Sequence, residues 1–154
     1  MARPVYIAVI GGSEISAELA ELARQVGREV AYKGAVLLCG GLGGVMAAAA
    51  QGAQAAGGVS LGILPGGDHG SANPYLTYTI ATNLGHARNM LIAHSADAVI
   101  AVDGSYGTVS EAAIALKLGK PVVALKVSWD LPGLQRAGSA EAAVALAWER
   151  LQDR

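Results

Sequence analysis

Short apolar runs that end on glycine recur along this chain and constrain its fold more than any other feature. Tyr6 to Ile10 stops at Gly11-Gly12-Ser13, and Val36 to Cys39 stops at Gly40-Gly41-Leu42-Gly43-Gly44. Val59 to Leu64 stops at Pro65-Gly66-Gly67, and Val99 to Val102 at Asp103-Gly104-Ser105-Tyr106-Gly107. Runs of this length, rich in β-branched residues, read as strands covered on both faces. Segments with helical spacing lie between them, so the order implies a parallel sheet with helices on both faces. In such a sheet all the turns that follow strands lie at one edge, where open α/β folds bind their ligands. A single glycine there needs no function, because short turns favour a residue free to adopt positive φ. Glycine turns after each of these strands, all on one edge, point to a site that backbone must approach closely.

The helical segments are read from their spacing. Ile15, Leu19, Leu22, Val26 and Val30 recur at intervals of three and four, with Ser13 placed to cap them. An alanine-rich helix follows Gly44 and ends at Gly57-Gly58, and another spans about Leu84 to Ser95. A helix starting at Thr108 presents Ile114, Leu116 and Leu118, and Gly119 and Pro121 stop it before a strand at Val122 to Leu125. The last helix, Ala140 to about Leu151, is expected to bury Val144, Ala147, Trp148 and Leu151. Asp68 to Asn83 reads as the longest irregular stretch, with a short strand at Tyr78 to Ile80, and Trp129 to Gly138 reads as a loop. No internal repeat or linker interrupts the pattern, so residues 1–154 are read as one domain.

Several function classes are disfavoured. No charged residue occurs between Lys33 and Asp68, but Gly40, Gly41, Gly43 and Gly44 break that apolar run, and no aromatic belt flanks it, so a membrane span is not expected. A net charge of −1 gives no general attraction to nucleic acid or anionic lipid. The lone Cys39 excludes a disulfide framework, and Met1 onward lacks a basic-then-apolar leader pattern, so the expected compartment is the cytoplasm. Position 46 is methionine, so Gly41-Leu42-Gly43 does not complete a dinucleotide fingerprint, and no phosphate loop of the NTPase type occurs. His69, His86 and His94 lack a metal-ligand spacing, so no metal is expected. Hydrophobic residues make up 53% and charged residues 15%, a balance that implies extra covered surface and a homodimer or larger homo-oligomer.

The stretch Val99 to Ala113 carries the strongest chemical hint. A strand, a glycine turn and a helix N-terminus aim unpaired backbone N–H groups and a partial positive charge at an anion. Glu111 sits one turn inside that helix. It completes a capping box with Thr108, or it faces a ligand as a general acid–base group; the spacing alone leaves both open. Arg88 is either a surface arginine or a planar fork for a phosphate.

Four motifs together resemble the LONELY GUY family and its relatives, formerly labelled lysine decarboxylase-like. They are Ile-Ala-Val-Ile-Gly-Gly-Ser at 7–13, Cys-Gly-Gly-Leu-Gly-Gly-Val-Met at 39–46, Ala-Arg-Asn-Met at 87–90 and Asp-Gly-Ser-Tyr-Gly-Thr-Val-Ser-Glu at 103–111. The resemblance implies a Rossmann-like α/β fold, a dimer and, in one branch, hydrolysis of nucleoside 5′-monophosphates to base and ribose 5-phosphate. It places Arg88 and Glu111 as the catalytic pair. It also implies a ligand or phosphate site built from Gly11, Gly12, Ser13, Gly40, Gly41, Gly43, Gly44 and Met46. From the fourth motif it adds Asp103, Gly104, Ser105, Tyr106, Gly107 and Thr108.

Asn89 stands where the family has a lysine, Asp103 where it has a proline, and Ser105 where it has a glycine. In these positions the chain looks closer to a branch that includes molybdenum-cofactor carriers, which bind a phosphorylated pterin without cleaving it. The alternative to a phosphoribohydrolase is therefore a carrier with the molybdenum cofactor as cargo, or a nucleotide sensor; no further cofactor is required. A more distant relative by fold is the DNA-processing protein of bacterial transformation, against which the charge balance argues. Asp103 is either a turn former or an acceptor for ribose hydroxyls. Tyr106 is a stacking residue or a turn residue, and Tyr75 and Tyr78 either close over a ligand or fill an interface.

Overall fold

The computed structural model describes residues 2–153 and is built on one seven-stranded sheet in which every neighbouring pair is parallel. The elements run β1 (Tyr6–Gly11), α1 (Ala17–Tyr32), β2 (Val36–Cys39), α2 (Val45–Ala55), β3 (Val59–Leu64) and β4 (Tyr78–Ala81). There follow a 3-10 turn (Gly85–Ala87), α3 (Arg88–Ser95), β5 (Ala98–Val102), α4 (Tyr106–Lys117), β6 (Val122–Leu125), β7 (Gln135–Arg136) and α5 (Ala140–Gln152). Strand order is β4-β3-β2-β1-β5-β6-β7. The chain thus winds outward from β1 in one direction and from β5 in the other. The two turns that follow these central strands face each other at the point where winding reverses, and crevices of open α/β sheets form there.

Alternation along the strands sends side chains into two cores. Ile7, Val9, Leu37, Ile100 and Val102 pack beneath α1, α2 and α5, whereas Ala8, Ile10, Leu38, Val99 and Ala101 pack beneath α3 and α4. The first core is closed by an intimate crossing of α1 and α2. A Cβ on Gly27 would lie 1.9 Å from the carbonyl oxygen of Ala49, and one on Gly52 would lie 1.9 Å from that of Arg24. Each helix therefore presents bare backbone to the other, and alanine at either position would collide with main chain that has no rotamer by which to yield.

The second face is covered by two helices, of which α3 has only eight residues. In register, Leu61 pairs with Tyr78 and Ile63 with Ile80, so the two β4 side chains continue the face on which α3 packs. Tyr78 and Ile80 stay exposed, as do Leu84, Met90 and Leu91 nearby in the chain. From His69 to Ala96 the only side chain with a formal charge is Arg88, which is itself buried.

Several local expectations are corrected. Ser16, not Ser13, caps α1, accepting from the Leu19 N–H at 3.2 Å. The helix begins at Ala17, three residues later than a cap at Ser13 would place it, because residues 13–15 follow the crevice turn instead. The short strand expected at Tyr78 to Ile80 forms and runs one residue further, to Ala81, whereas Gln135–Arg136 pairs with β6 inside the expected loop. The helix expected from Leu84 begins as a 3-10 turn, because Gly85 at φ 57° departs from helical backbone. In α5, Val144 and Ala147 are buried while Trp148 and Leu151 are half-buried. Among the described residues no helix is long and apolar enough to cross a membrane.

The correction with chemical consequences is in α4. The helix starts at Tyr106, with Ser105 at the cap position and no side-chain cap bond, so Thr108 is an interior residue. Thr108 is not the N-cap residue, so it and Glu111 form no capping box. The face turned to the protein is Thr108, Glu111, Ala112 and Ala115, whereas Leu118 is exposed. Small alanines bring the helix close to the sheet and leave room for a carboxylate among them.

Candidate functional site

The two central turns and their neighbours border a cleft of about 240 Å³. One side is Val9 to Ser13 at the end of β1, and Gly40, Leu42 and Met46 after β2 form the adjacent wall. His86, Arg88 and Asn89 lie at the 3-10 turn and the start of α3, and Ser105, Gly107, Thr108 and Glu111 close the cleft from α4. Of the residues expected from sequence, Arg88, Glu111, Gly11, Gly12, Ser13, Gly40, Met46, Ser105, Gly107 and Thr108 line it. Gly41, Gly43, Gly44 and Gly104 shape the turns without lining it. A Cβ on Gly44, at φ 64°, would meet the Gly12 carbonyl oxygen at 2.2 Å, so glycine lets the first two turns touch.

Two expected residues point elsewhere. Asp103, at φ 52°, lines a separate cavity with Lys126 and the start of α1, and Tyr106 is 91% exposed outside the cleft. Neither Tyr75 nor Tyr78 lines it. The residues that sequence reading missed are Val9, Ile10, Leu42, His86 and Asn89. Asn89 was visible as the departure from a lysine; the others carry no signal in a single sequence.

The cleft concentrates the molecule's buried polarity. The buried polar or charged residues are Ser60, Arg88, Asn89, Thr108 and Glu111, and all but Ser60 line this cleft. Burying charge is unfavourable unless a partner or ligand compensates it, so such clustering marks a site. The Arg88 guanidinium donates to the Asn89 side-chain oxygen and, at 3.2 Å, to the Gly40 carbonyl. Its Nε has no partner among the described residues. A Cβ on Gly40 would stand 2.6 Å from the guanidinium, so glycine at 40 makes room for the arginine.

Glu111 accepts no hydrogen bond from any described residue, and no ion pair reaches it. Burial pushes its pKa up to about 7, against the opposing pull of Arg88. Burial also lowers the Arg88 pKa, which Glu111 and Cys39 partly restore. Cys39, fully buried beneath the turn, has its thiol pushed up to about 11 and stays un-ionised. The backbone N–H groups of Tyr106, Gly107 and Thr108 in α4, and of Met46 and Ala47 in α2, donate to no described residue. Nothing stands within 4 Å of where a Gly107 Cβ would be, so this part of the α4 terminus is open to an approaching group. The arrangement suits an anion held at helix N-termini above a buried guanidinium and an acid able to exchange a proton near neutrality.

Because Glu111 keeps its proton to a higher pH when folded than when unfolded, it favours folding at low pH. That contribution is complete below the ordinary carboxylate range and is lost as pH rises towards 7. Relative to Glu111→Gln, wild-type stability is therefore expected to fall by about 3 kcal/mol from about pH 4 to about pH 8. Paired urea melts across that range check this, since the Asp97–Arg3 pair is common to both proteins.

A parallel sheet flanked by helices, with a glycine-lined cleft at its switch point, defines a Rossmann-like α/β protein. The SLOG cluster4 family model matches residues 4–149, and the chain belongs to that family. A protein of Archaeoglobus fulgidus is 48% identical over 140 residues, covering 91% of this chain and 92% of its own. The molybdenum cofactor binding protein from the phototrophic bacterium Rippkaea orientalis superposes with a TM-score of 0.91 at 35% identity, covering 98% of this chain and 99% of its own. The molybdenum cofactor carrier protein from Chlamydomonas reinhardtii gives 0.88 at 34%, with 99% and 100% covered.

Proposed function

We propose that this chain binds a small phosphorylated heterocycle in the cleft and serves as a carrier of a phosphorylated pterin of the molybdenum-cofactor type. The observation that carries the reading is the facing of the open α4 N-terminus and the buried Arg88 across one cleft. A phosphate at Gly107 and Thr108 takes the unpaired N–H groups and lies on the guanidinium side, while the heterocycle extends along Leu42 and His86. The similarity to molybdenum-cofactor-binding proteins of comparable length supports the pterin as cargo. The exposed strip formed by β4 and α3 supports self-association, since an uncharged surface meets its own copy without like-charge repulsion.

Purified protein incubated with molybdenum cofactor and desalted is expected to retain the pterin in the wild type, and light scattering on the same sample to give at least a dimer mass. Release of all pterin on desalting, or equal retention by the cleft variant Arg88→Ala, overturns the carrier reading. A second reading, hydrolysis of nucleoside 5′-monophosphates, is favoured by a Glu111 carboxyl held near neutrality in reach of a bound ligand. Base release from such nucleotides, lost in Glu111→Gln by about 100-fold or more, would select it.

A further inference from the structure

We propose that the cleft takes up a proton together with its anion, and that Glu111 is the group that receives it. The inference deepens the anion-binding reading above and rests on it. Glu111 lies one turn along α4 from the Gly107–Thr108 terminus, on the same helix face as Thr108, and lines the same cleft. Residues at that spacing have Cβ atoms about 5–6 Å apart, so an anion at the terminus stands within a few ångströms of the carboxyl. The carboxyl is 8% exposed and has no hydrogen-bond donor to support a negative charge. Two anions at this separation in a buried site do not both stay ionised; the weaker acid takes a proton, as in paired carboxylates. Sulfate or a phosphate dianion keeps its charge, and Glu111 changes from carboxylate to carboxylic acid by gaining one solvent proton. The new O–H then donates to an anion oxygen, replacing repulsion with a short charge-assisted bond.

The other titratable groups around Glu111 do not take this role. Arg88, from α3, donates to Asn89 and the Gly40 carbonyl, and burial lowers rather than raises its affinity for protons. Cys39 from β2 is already protonated. His86, from the 3-10 turn, lines the cleft but is exposed to solvent. His94 and Lys117 lie in the last turns of α3 and α4, at the far ends of those helices. At this edge α2, β1, β5 and β6 contribute no titratable side chain.

Sulfate is the probe, because its charge does not titrate across neutrality as that of a phosphate monoester does. Calorimetric titration at about pH 8 in two buffers of different ionisation enthalpy counts the protons. Wild type is expected to take up about one proton per sulfate bound, and its affinity to fall about tenfold per pH unit above about 7.5. Glu111→Gln is expected to take up almost none and to bind with no pH dependence, while His86→Gln keeps the wild-type proton count whatever its affinity for sulfate. Equal uptake by wild type and Glu111→Gln, or loss of uptake in His86→Gln, overturns the proposal while leaving the anion cleft in place. No sulfate heat in any of the proteins at any pH overturns the anion cleft as well. The pH profile of the wild type, read alone, is a check independent of how either variant folds.

Discussion

Arg88→Ala is expected to weaken binding of a phosphorylated ligand by about 100-fold, as loss of a strong charge-assisted hydrogen bond implies. The corresponding unphosphorylated heterocycle is expected to bind nearly as before. The discrimination arises because the guanidinium lies on the cleft floor, 8% exposed, held by Asn89 and the Gly40 carbonyl with its Nε unpaired. Removing it also strips Glu111 of the one nearby cation that draws its pKa down, so the variant's carboxyl should titrate higher still. Arg88→Lys should recover only part of the loss, since an ammonium cannot span both Asn89 and Gly40 as a planar fork does. Titration calorimetry with a phosphorylated and a dephosphorylated pterin measures the split. Equal weakening for both would show that the arginine acts on folding or on the ring and not on the phosphate.

Gly27→Ala is expected to destabilise the fold by about 3 kcal/mol or more, at the upper end of overpacking effects. The sign is the informative part. In an ordinary exposed helix the same change stabilises by roughly 1 kcal/mol, because alanine loses less backbone entropy than glycine. Here the added methyl would sit 1.9 Å from the Ala49 carbonyl oxygen, and the reciprocal substitution Gly52→Ala would meet Arg24 at the same distance. Gly107→Ala provides the contrast, since its Cβ would enter open space; it should fold at least as well as wild type. Urea denaturation of the three variants separates a backbone collision from a general intolerance of alanine.

The parts of the molecule that were legible in the sequence are those governed by periodicity. Apolar runs ending on glycine turns mark β1, β2, β3 and β5 and their common edge, and the run Val122 to Leu125 marks β6, because burial on both faces demands unbroken apolar sequence. β7 escaped this test, since two residues, Gln135 and Arg136, carry no pattern. β4 was seen only as a short strand in an irregular stretch, because Tyr78-Thr79-Ile80 lies at an edge with one face uncovered. Caps were the weakest inference. Ser13 and Ser16 are equally good acceptors, and only the path of the crevice turn decides between them. The site was legible where a residue type is unusual for its place, as with Arg88 and Glu111. His86 and Leu42 reach the cleft through the turn geometry of segments distant in sequence, which no local pattern encodes. Thr108 and Glu111 matched a capping box by spacing, and two residues' difference in where the helix starts removed that reading.

The glycine-to-glycine contact between α1 and α2 also has a mechanical meaning. It joins the two helices backbone to backbone, and the Val45 N–H bonded to the Gly12 carbonyl at 3.0 Å ties the β1 turn into the same unit. That side of the cleft is a fixed jamb. The opposite side includes the 3-10 turn at Gly85–Ala87, with Leu84 and His86 exposed and the Gly85 N–H donating to the Pro65 carbonyl at 3.0 Å. Bare backbone contact thus fixes one side of the opening, and a short exposed turn borders the other. Arg88 is the next residue after that turn, so the path of residues 84–87 sets where the guanidinium stands relative to the Gly12–Gly44 wall.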